Sequence, residues 1–340
     1  MRIEENVKLA PLTTFRIGGR ARFFIKIKKE DELRNAFEFT KSKKLPIFVL
    51  GGGSNVLISD KGFPGVVIQL QNKKIVFSSL KKSCLVKADA GVIWDDLVEK
   101  TVKRNLQGIE CLSGIPGTVG AAPVQNIGAY GQELKDVFVS LKAFDTKKEK
   151  FVIMNKKDCK FSYRQSVFKK ENARFVIINI TLKLFKNKKP TLTYESLVNF
   201  LKEKGIKKPS LQDARKAVLM LRSQRLEDYQ GHGNAGSFFK NPVVSKKFFL
   251  SLKEKYPDIP FFFTEDKKVK LFAGWLIEQA GWKGKVYGNV GVSDKNALVL
   301  LNRNGKGKAR EVKRLANLIQ KDVKKKFGVI LEPEVCYISF

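Results

Sequence analysis

The sequence predicts an α+β protein of two or three domains. Three observations carry that reading. At 340 residues the chain is long enough for more than one hydrophobic core. Short alternating or apolar runs of strand length are interleaved with amphipathic stretches of helix length. Between Glu110 and Glu133 no charged residue occurs, although charged residues make up 29% of the chain.

In chain order, Ala21–Ile27 alternates as a half-buried strand does. Asp31–Lys43 sets Leu33, Ala36, Phe37 and Thr40 on one helical face, and Pro46 closes it. Ile47–Leu50 is a short apolar strand, followed at once by Gly51-Gly52-Gly53-Ser54-Asn55, then Val56–Ser59 and a strand at Val66–Leu70. A glycine turn at the C-terminal end of a strand in a β-α-β unit is where such folds hold anions. The spacing is not G-x-G-x-x-G, which disfavours a dinucleotide fingerprint. The three glycines suit a tight turn as well as a pyrophosphate nest.

Cys84–Ala90 reads as a strand and Ile93–Arg104 as a helix leading into the uncharged run, Ser113 to Gly131. Glycines recur there at 114, 117, 120, 128 and 131, and Pro116 suits a first helical turn after Ser113. Glycine at this density lets backbone N–H groups approach a bulky or anionic group. One Gly-x-x-Gly would suit a buried turn; the whole run suits a cradle around a cofactor. Strands follow at Val137–Asp145, Phe151–Met154 and Phe175–Phe185, and Lys186–Pro190 reads as a linker. Tyr194–Lys204 and Ser210–Leu226 are helices, the second with Ser210 and Asp213 as a capping pair. A second glycine-rich stretch runs from Gly231 to Pro242. Leu271–Ala280 is helical and stops at Gly281. Ala297–Leu301 is a strand, Lys308–Phe327 a basic helix, and Val329–Ser339 completes the chain.

A formal net charge of +33 suggests a polyanionic partner. The lysines are dispersed as doublets at turns and helix ends, so the expectation is non-specific, salt-sensitive attraction and no specific nucleic-acid recognition. The four cysteines show no C-x-x-C pairing, which argues against zinc or a disulfide framework and suits a reducing cytoplasm. The polar, acidic start Met-Arg-Ile-Glu-Glu-Asn is unlike a secretory signal, and no apolar run is long enough to span a bilayer. The sole histidine, His232, leaves little room for Ser-His-Asp chemistry, and no metal-ligand spacing is present. Three polar points sit among apolar or glycine residues: Arg164 in Phe161-Ser-Tyr-Arg-Gln-Ser166, Ser237 in Asn234-Ala-Gly-Ser237, and Glu334 in Leu331-Glu-Pro-Glu334. Each alone reads as well as an ion pair or a turn.

Taken together and in order, these stretches resemble the UDP-N-acetylenolpyruvoylglucosamine reductase family. The resemblance rests on Thr13–Gly19, Leu50–Asn55, Gly114–Gly120 onward, Tyr163-Arg164, Gly233–Pro242 and Glu332–Val335, with Leu192-Thr-Tyr194 as in the family's first type, whose tyrosine loop closes on substrate. It implies a two-subdomain FAD-binding fold of the vanillyl-alcohol-oxidase type plus a C-terminal α+β substrate domain. The boundaries implied are 1–72, 73–204, 205–326 and a returning strand at 327–340. It implies non-covalent FAD, with the one histidine outside the cradles, and NADPH as hydride donor. The implied activity is reduction of an enolpyruvyl UDP-sugar in peptidoglycan precursor synthesis by a cytoplasmic monomer. Arg164, Ser237 and Glu334 match the catalytic positions. Gly51, Gly52, Gly53, Ser54, Asn55, Ser113, Gly114, Gly117, Thr118, Gly120, Ala121 and Gly128 match the flavin cradle. Tyr163, Tyr194, Arg225, Asn241 and Gln279 match positions that hold the sugar nucleotide. The chain departs from the family at 225–229, where Arg225-Leu-Glu-Asp-Tyr stands in place of Lys-Leu-Pro-Asp-Pro.

Overall fold

The computed structural model describes residues 1–264 and 266–340. The chain packs as two compact units. The first comprises Met1–Val7, Ala21–Gly52 and Pro64–Gln224; the second comprises Lys8–Arg20, Gly53–Phe63 and Arg225–Phe340.

In the first unit, strands Ile3–Lys8, Arg20–Ile27, Phe63–Leu70 and Ile47–Val49 form one sheet in that spatial order. Ile47–Val49 runs parallel to Val66–Ile68, as a β-α-β connection requires. The crossover helix Glu30–Ser42 buries Leu33, Ala36 and Thr40, the stripe its periodicity predicts. Ile25, Val66 and Ile68 share a core with Phe144, Val176 and Ile178 of a second, antiparallel sheet. That sheet runs Lys150–Asn155, Phe138–Asp145, Phe175–Lys186, Ser83–Asp89, Ile75–Ser79. Helix Trp94–Lys103 packs Leu97, Val98 and Val102 into the core beneath it. Helices Glu195–Glu203 and Leu211–Arg225 close a smaller cluster around Cys111, Leu197, Leu201, Val218 and Leu221.

The second unit is built around helix Ala309–Phe327, whose Val312, Leu315, Ala316, Ile319 and Val323 face the core. Its first N–H groups, of Ala309 and Arg310, bond to Asp60, and Gly328 ends it at φ +68°. Two small antiparallel sheets complete the unit. One joins Val243–Val244, Val269–Leu271 and Phe261–Phe263; the other joins Val286–Tyr287, Val290–Val292 and Leu300–Asn302. The strand Cys336–Ile338 pairs in parallel with Val56–Ile58.

Three readings of the sequence change in detail. Pro116 does not open a helix: Thr118 is extended and bridges Ile93, so the 3₁₀ turn begins only at Val119. Leu134–Val137 is a short helix, and the strand starts at Phe138. Of Val329–Ser339 only Cys336–Ile338 is strand. No described helix is long and apolar enough to cross a membrane.

Candidate active site

The first unit brings two glycine stretches into backbone contact. A Cβ on Gly52 would lie 2.8 Å from Gly117 Cα, and one on Gly51 would lie 2.9 Å from Thr118 Oγ1 and 3.1 Å from Ala121 Cβ. Gly120 is held the same way, its N–H on Ala90 O and its Cβ position 2.6 Å from Ala90 Cβ. Among the described residues, the N–H groups of Gly51, Gly52, Gly117 and Thr118 have no protein acceptor. None of the four is fully buried. Four free backbone donors in one patch make a nest for an oxyanion.

The flanks of this patch are fixed by charge. Gly114 N–H donates to Asp95 Oδ1 (2.6 Å), and Arg215 grips both oxygens of Asp95 at 2.6 and 2.8 Å. Burial works to raise the Asp95 carboxyl, but the bonds from Arg215 and Gly114 outweigh it, leaving its pKa below the ordinary value. Ser113 is fully buried and its hydroxyl donates to Glu110 O, so that side chain shapes the turn.

Arg222 went unnoticed in the sequence. Its Nε lies 3.2 Å from the Cβ position of Gly114. Among the described residues it makes no ion pair or hydrogen bond. Burial pushes its guanidinium below the ordinary value, with Tyr130 and Asp95 acting the other way. The available signal was its place one turn beyond Val218, on the apolar stripe of its helix. A buried guanidinium that makes no salt bridge among the described residues, set against Gly114 in the stretch that also carries Gly117 and Thr118, fits the diphosphate of a dinucleotide such as FAD.

Arg164 sits in a tight turn closed by reciprocal backbone bonds between Ser162 and Gln165, both 3.1 Å. Its φ of +53° is uncommon for a residue with a side chain and marks a constrained position. The turn docks on the uncharged run through Asn126, fully buried, whose amide donates to Glu133 and to Ser162 O. Arg164 Nη2 donates to Gly128 O at 2.8 Å, and the guanidinium lies over the Tyr163 ring. The structure thus gathers Tyr163, Arg164 and Gly128. Tyr194 packs edge-on against Tyr130, with ring centroids 5.4 Å apart.

In the second unit, Ser237 follows a turn shaped by Asn234. The Asn234 backbone exchanges hydrogen bonds with Thr14, while its side chain accepts from Gly236 N–H and donates to His232 O. Gly236 has φ +68°, which glycine alone adopts at no cost. The segment then runs between two others: Phe238 N–H donates to Leu298 O (2.7 Å), and Glu334 N–H donates to Phe238 O (2.8 Å). Phe238 and Phe239 are buried, whereas Ser237 is partly open. Among the described residues its hydroxyl has no hydrogen-bond partner.

Glu334 is tied to the second unit's own glycine loop: Asn55 Nδ2 donates to Glu334 O, and Cys336 N–H donates to Asn55 O. Gly53, in that loop, has φ +64° and no room for a Cβ against Leu12 O. Lys240 pairs with the exposed carboxylate of Glu332 at 2.8 Å. Asn241 Oδ1 accepts from Ala273 N–H and so caps helix Ala273–Gln279. Gln279 is exposed at the far end of that helix, and Arg225 is exposed at the start of the unit.

Residues 225–338 match the model of the UDP-N-acetylenolpyruvoylglucosamine reductase C-terminal domain, and residues 21–153 match an FAD binding domain. The UDP-N-acetylenolpyruvoylglucosamine reductase of Pseudomonas aeruginosa is 42% identical over 336 residues, covering 98% of each chain. The chain belongs to this family. The family member of Neisseria gonorrhoeae is likewise 42% identical, covering 98% of this chain and 96% of its own. The fold is that of the reductase from Thermus caldophilus, with a TM-score of 0.70 at 24% identity over 99% of both chains. The free N–H patch at 51–52 and 117–118 lies within the segment matched as an FAD binding domain.

Proposed function

We propose that this chain is an NADPH-dependent flavoenzyme that reduces UDP-N-acetylglucosamine enolpyruvate to UDP-N-acetylmuramate in peptidoglycan precursor synthesis. Membership of the reductase family and the FAD-binding match support the reaction. The observation that carries the assignment of roles is the Ser237 hydroxyl, which has no hydrogen-bond partner among the described residues on a turn held by Asn234 and Phe238.

FAD, held without a covalent link, would supply the hydride-transfer chemistry between NADPH and the terminal vinyl carbon of the substrate. Gly51, Gly52, Gly117 and Thr118 donate their N–H groups to its diphosphate, with Arg222 as counter-ion. Gly53, Ser54, Asn55, Ser113, Gly114, Gly120, Ala121 and Gly128 shape the same cradle. Arg164 takes the substrate carboxylate, where negative charge gathers as the vinyl carbon is attacked. Glu334 hydrogen-bonds the enolic oxygen. Ser237 gives a proton to the adjacent carbon, which completes addition across the double bond. Tyr163, Tyr194, Arg225, Asn241 and Gln279 hold the UDP-sugar, Tyr194 from the tyrosine loop of the family's first type.

In this reading residues 1–72 and 73–204 are the two flavin subdomains, 205–326 the substrate domain and 327–340 the returning strand. The enzyme works as a cytoplasmic monomer. Denaturing the purified yellow protein releases free FAD. Under anaerobic conditions NADPH bleaches the flavin band and the enolpyruvyl UDP-sugar restores it. Flavin that stays on precipitated protein, or a reduced band untouched by that substrate, overturns the proposal.

A further inference from the structure

The segment that carries Arg225, Arg225-Leu-Glu-Asp-Tyr229, holds no proline. Proline fixes φ and stiffens a loop before any ligand arrives. Without it, Arg225 would have to be ordered at each binding event, at an entropic cost. The structure shows what stands in its place. Glu227 is only 9% exposed at its side chain, and its Oε1 accepts from Ser293 Oγ at 2.8 Å. Lys295 Nζ lies 3.7 Å from the other oxygen. Ser293 is itself fully buried, and its oxygen accepts from Lys295 N–H and Asn296 N–H. Its own N–H donates to Val299 O. Ser293 is therefore a rigid post. The turn it belongs to, residues 293–299, also seats the Ser237 segment, through Phe238 N–H on Leu298 O and the bridge between Ser237 and Val299.

We propose that Glu227 is a positioning residue that locks the Arg225 segment to the 293–299 turn, so that the arginine for the UDP-sugar and the proton donor Ser237 share one support. This rests on the reading of Arg225 as a contact of the UDP-sugar. Glu227 touches neither substrate nor flavin; it acts by pre-ordering Arg225. Its loss is therefore felt in binding of the UDP-sugar and not in the reaction with NADPH.

The test uses the full-length, FAD-loaded enzyme and measures KM for the enolpyruvyl UDP-sugar, kcat, and the rate of flavin reduction by NADPH. Glu227→Ala raises KM about tenfold, as loss of one bond to a charged group allows. The kcat and the reduction rate stay at wild-type values. Glu227→Gln keeps an acceptor for Ser293 and stays near wild type. In an Arg225→Ala background Glu227→Ala adds nothing, because the residue it positions is gone. If Glu227→Ala fails to fold, Glu227→Asp, one methylene short of Ser293 Oγ, weakens the same bond, leaves the turn at Ser293 intact and gives the same comparison. An unchanged KM in Arg225→Ala rejects the reading of Arg225, and the proposal falls with it. A raised KM in Arg225→Ala beside an unchanged KM in Glu227→Ala rejects the proposal alone, as does additivity of the two.

Discussion

The two glycine-rich regions use glycine for opposite ends. At 51, 52 and 117 glycine removes side chains so that two backbones touch, and the N–H groups of these residues and of Thr118 stay free. At 234–237 it makes a turn with nothing within 4 Å of the Cβ position of Gly236, and the purpose is to present a side chain, the Ser237 hydroxyl. In the first region the chemistry belongs to the main chain, and any added atom obstructs it. In the second, on the proposed reading, it belongs to one oxygen, and the backbone is its mount. Substitutions in the two regions should therefore fail in different ways.

The largest effect is expected at Ser237. Ser237→Ala keeps the turn, since no described residue bonds to the hydroxyl, and keeps FAD bound. Flavin reduction by NADPH proceeds at a near-normal rate, while reoxidation by the enolpyruvyl substrate slows by about 10²–10⁴-fold. Anaerobic stopped-flow spectroscopy at the flavin band resolves the two halves. Equal damage to both would mean that Ser237 merely shapes the turn, and the contrast between the regions would be lost.

Gly52→Ala is the counterpart. Its Cβ would meet Gly117 Cα at 2.8 Å, a contact with backbone that no rotamer change can relieve. Separation of the two loops spreads the four donors, so the apoprotein should bind FAD at least about tenfold more weakly, the worth of a single hydrogen bond to a charged group. Fluorescence titration with FAD measures this, and unchanged affinity would show that the patch is packing and not a nest. Gly236→Ala is milder: its only obstacle is φ +68°, worth about 1 kcal/mol of backbone strain. FAD affinity stays intact and substrate reoxidation falls a few-fold.

The sequence made these regions visible to different degrees. The uncharged run announces the first, because 22 residues without a charge between Glu110 and Glu133 is a departure visible in composition. Long amphipathic helices such as Glu30–Ser42 and Ala309–Phe327 are legible for the same kind of reason, a repeated pattern. Strands of two or three residues, such as Val286–Tyr287 and Val243–Val244, hold too few residues for any period to emerge, and their pairing is set by tertiary packing. Arg222 and Glu227 stay hidden because their meaning is burial: one is a cation left without a partner, the other a carboxylate held by a buried serine 66 residues away.

The smallest effect tests how the first region is anchored. Its backbone is free at the donors but tied at Gly114, through Asp95 and Arg215. The Asp95 carboxyl lies below its ordinary value in the folded state. A depressed carboxylate stabilises the fold at pH above the unfolded value, near 4, and that contribution is lost as pH falls through the folded value. Asp95→Asn lacks the charge at every pH. At neutral pH it should melt about 2–4 °C below wild type, as about 1 kcal/mol does in a unit of this size. The gap should close as the medium is acidified below about pH 4. Thermal melts of both proteins from neutral to acid pH give the two curves. FAD affinity at neutral pH should change little, because Asp95 holds Gly114 and not the four free donors at 51–52 and 117–118. A gap that stays constant with pH would mean that Asp95 acts through shape alone. A large loss of FAD would mean that the nest depends on this anchor, and main chain and side chain would then be less separable in the first region than the contrast with Ser237 implies.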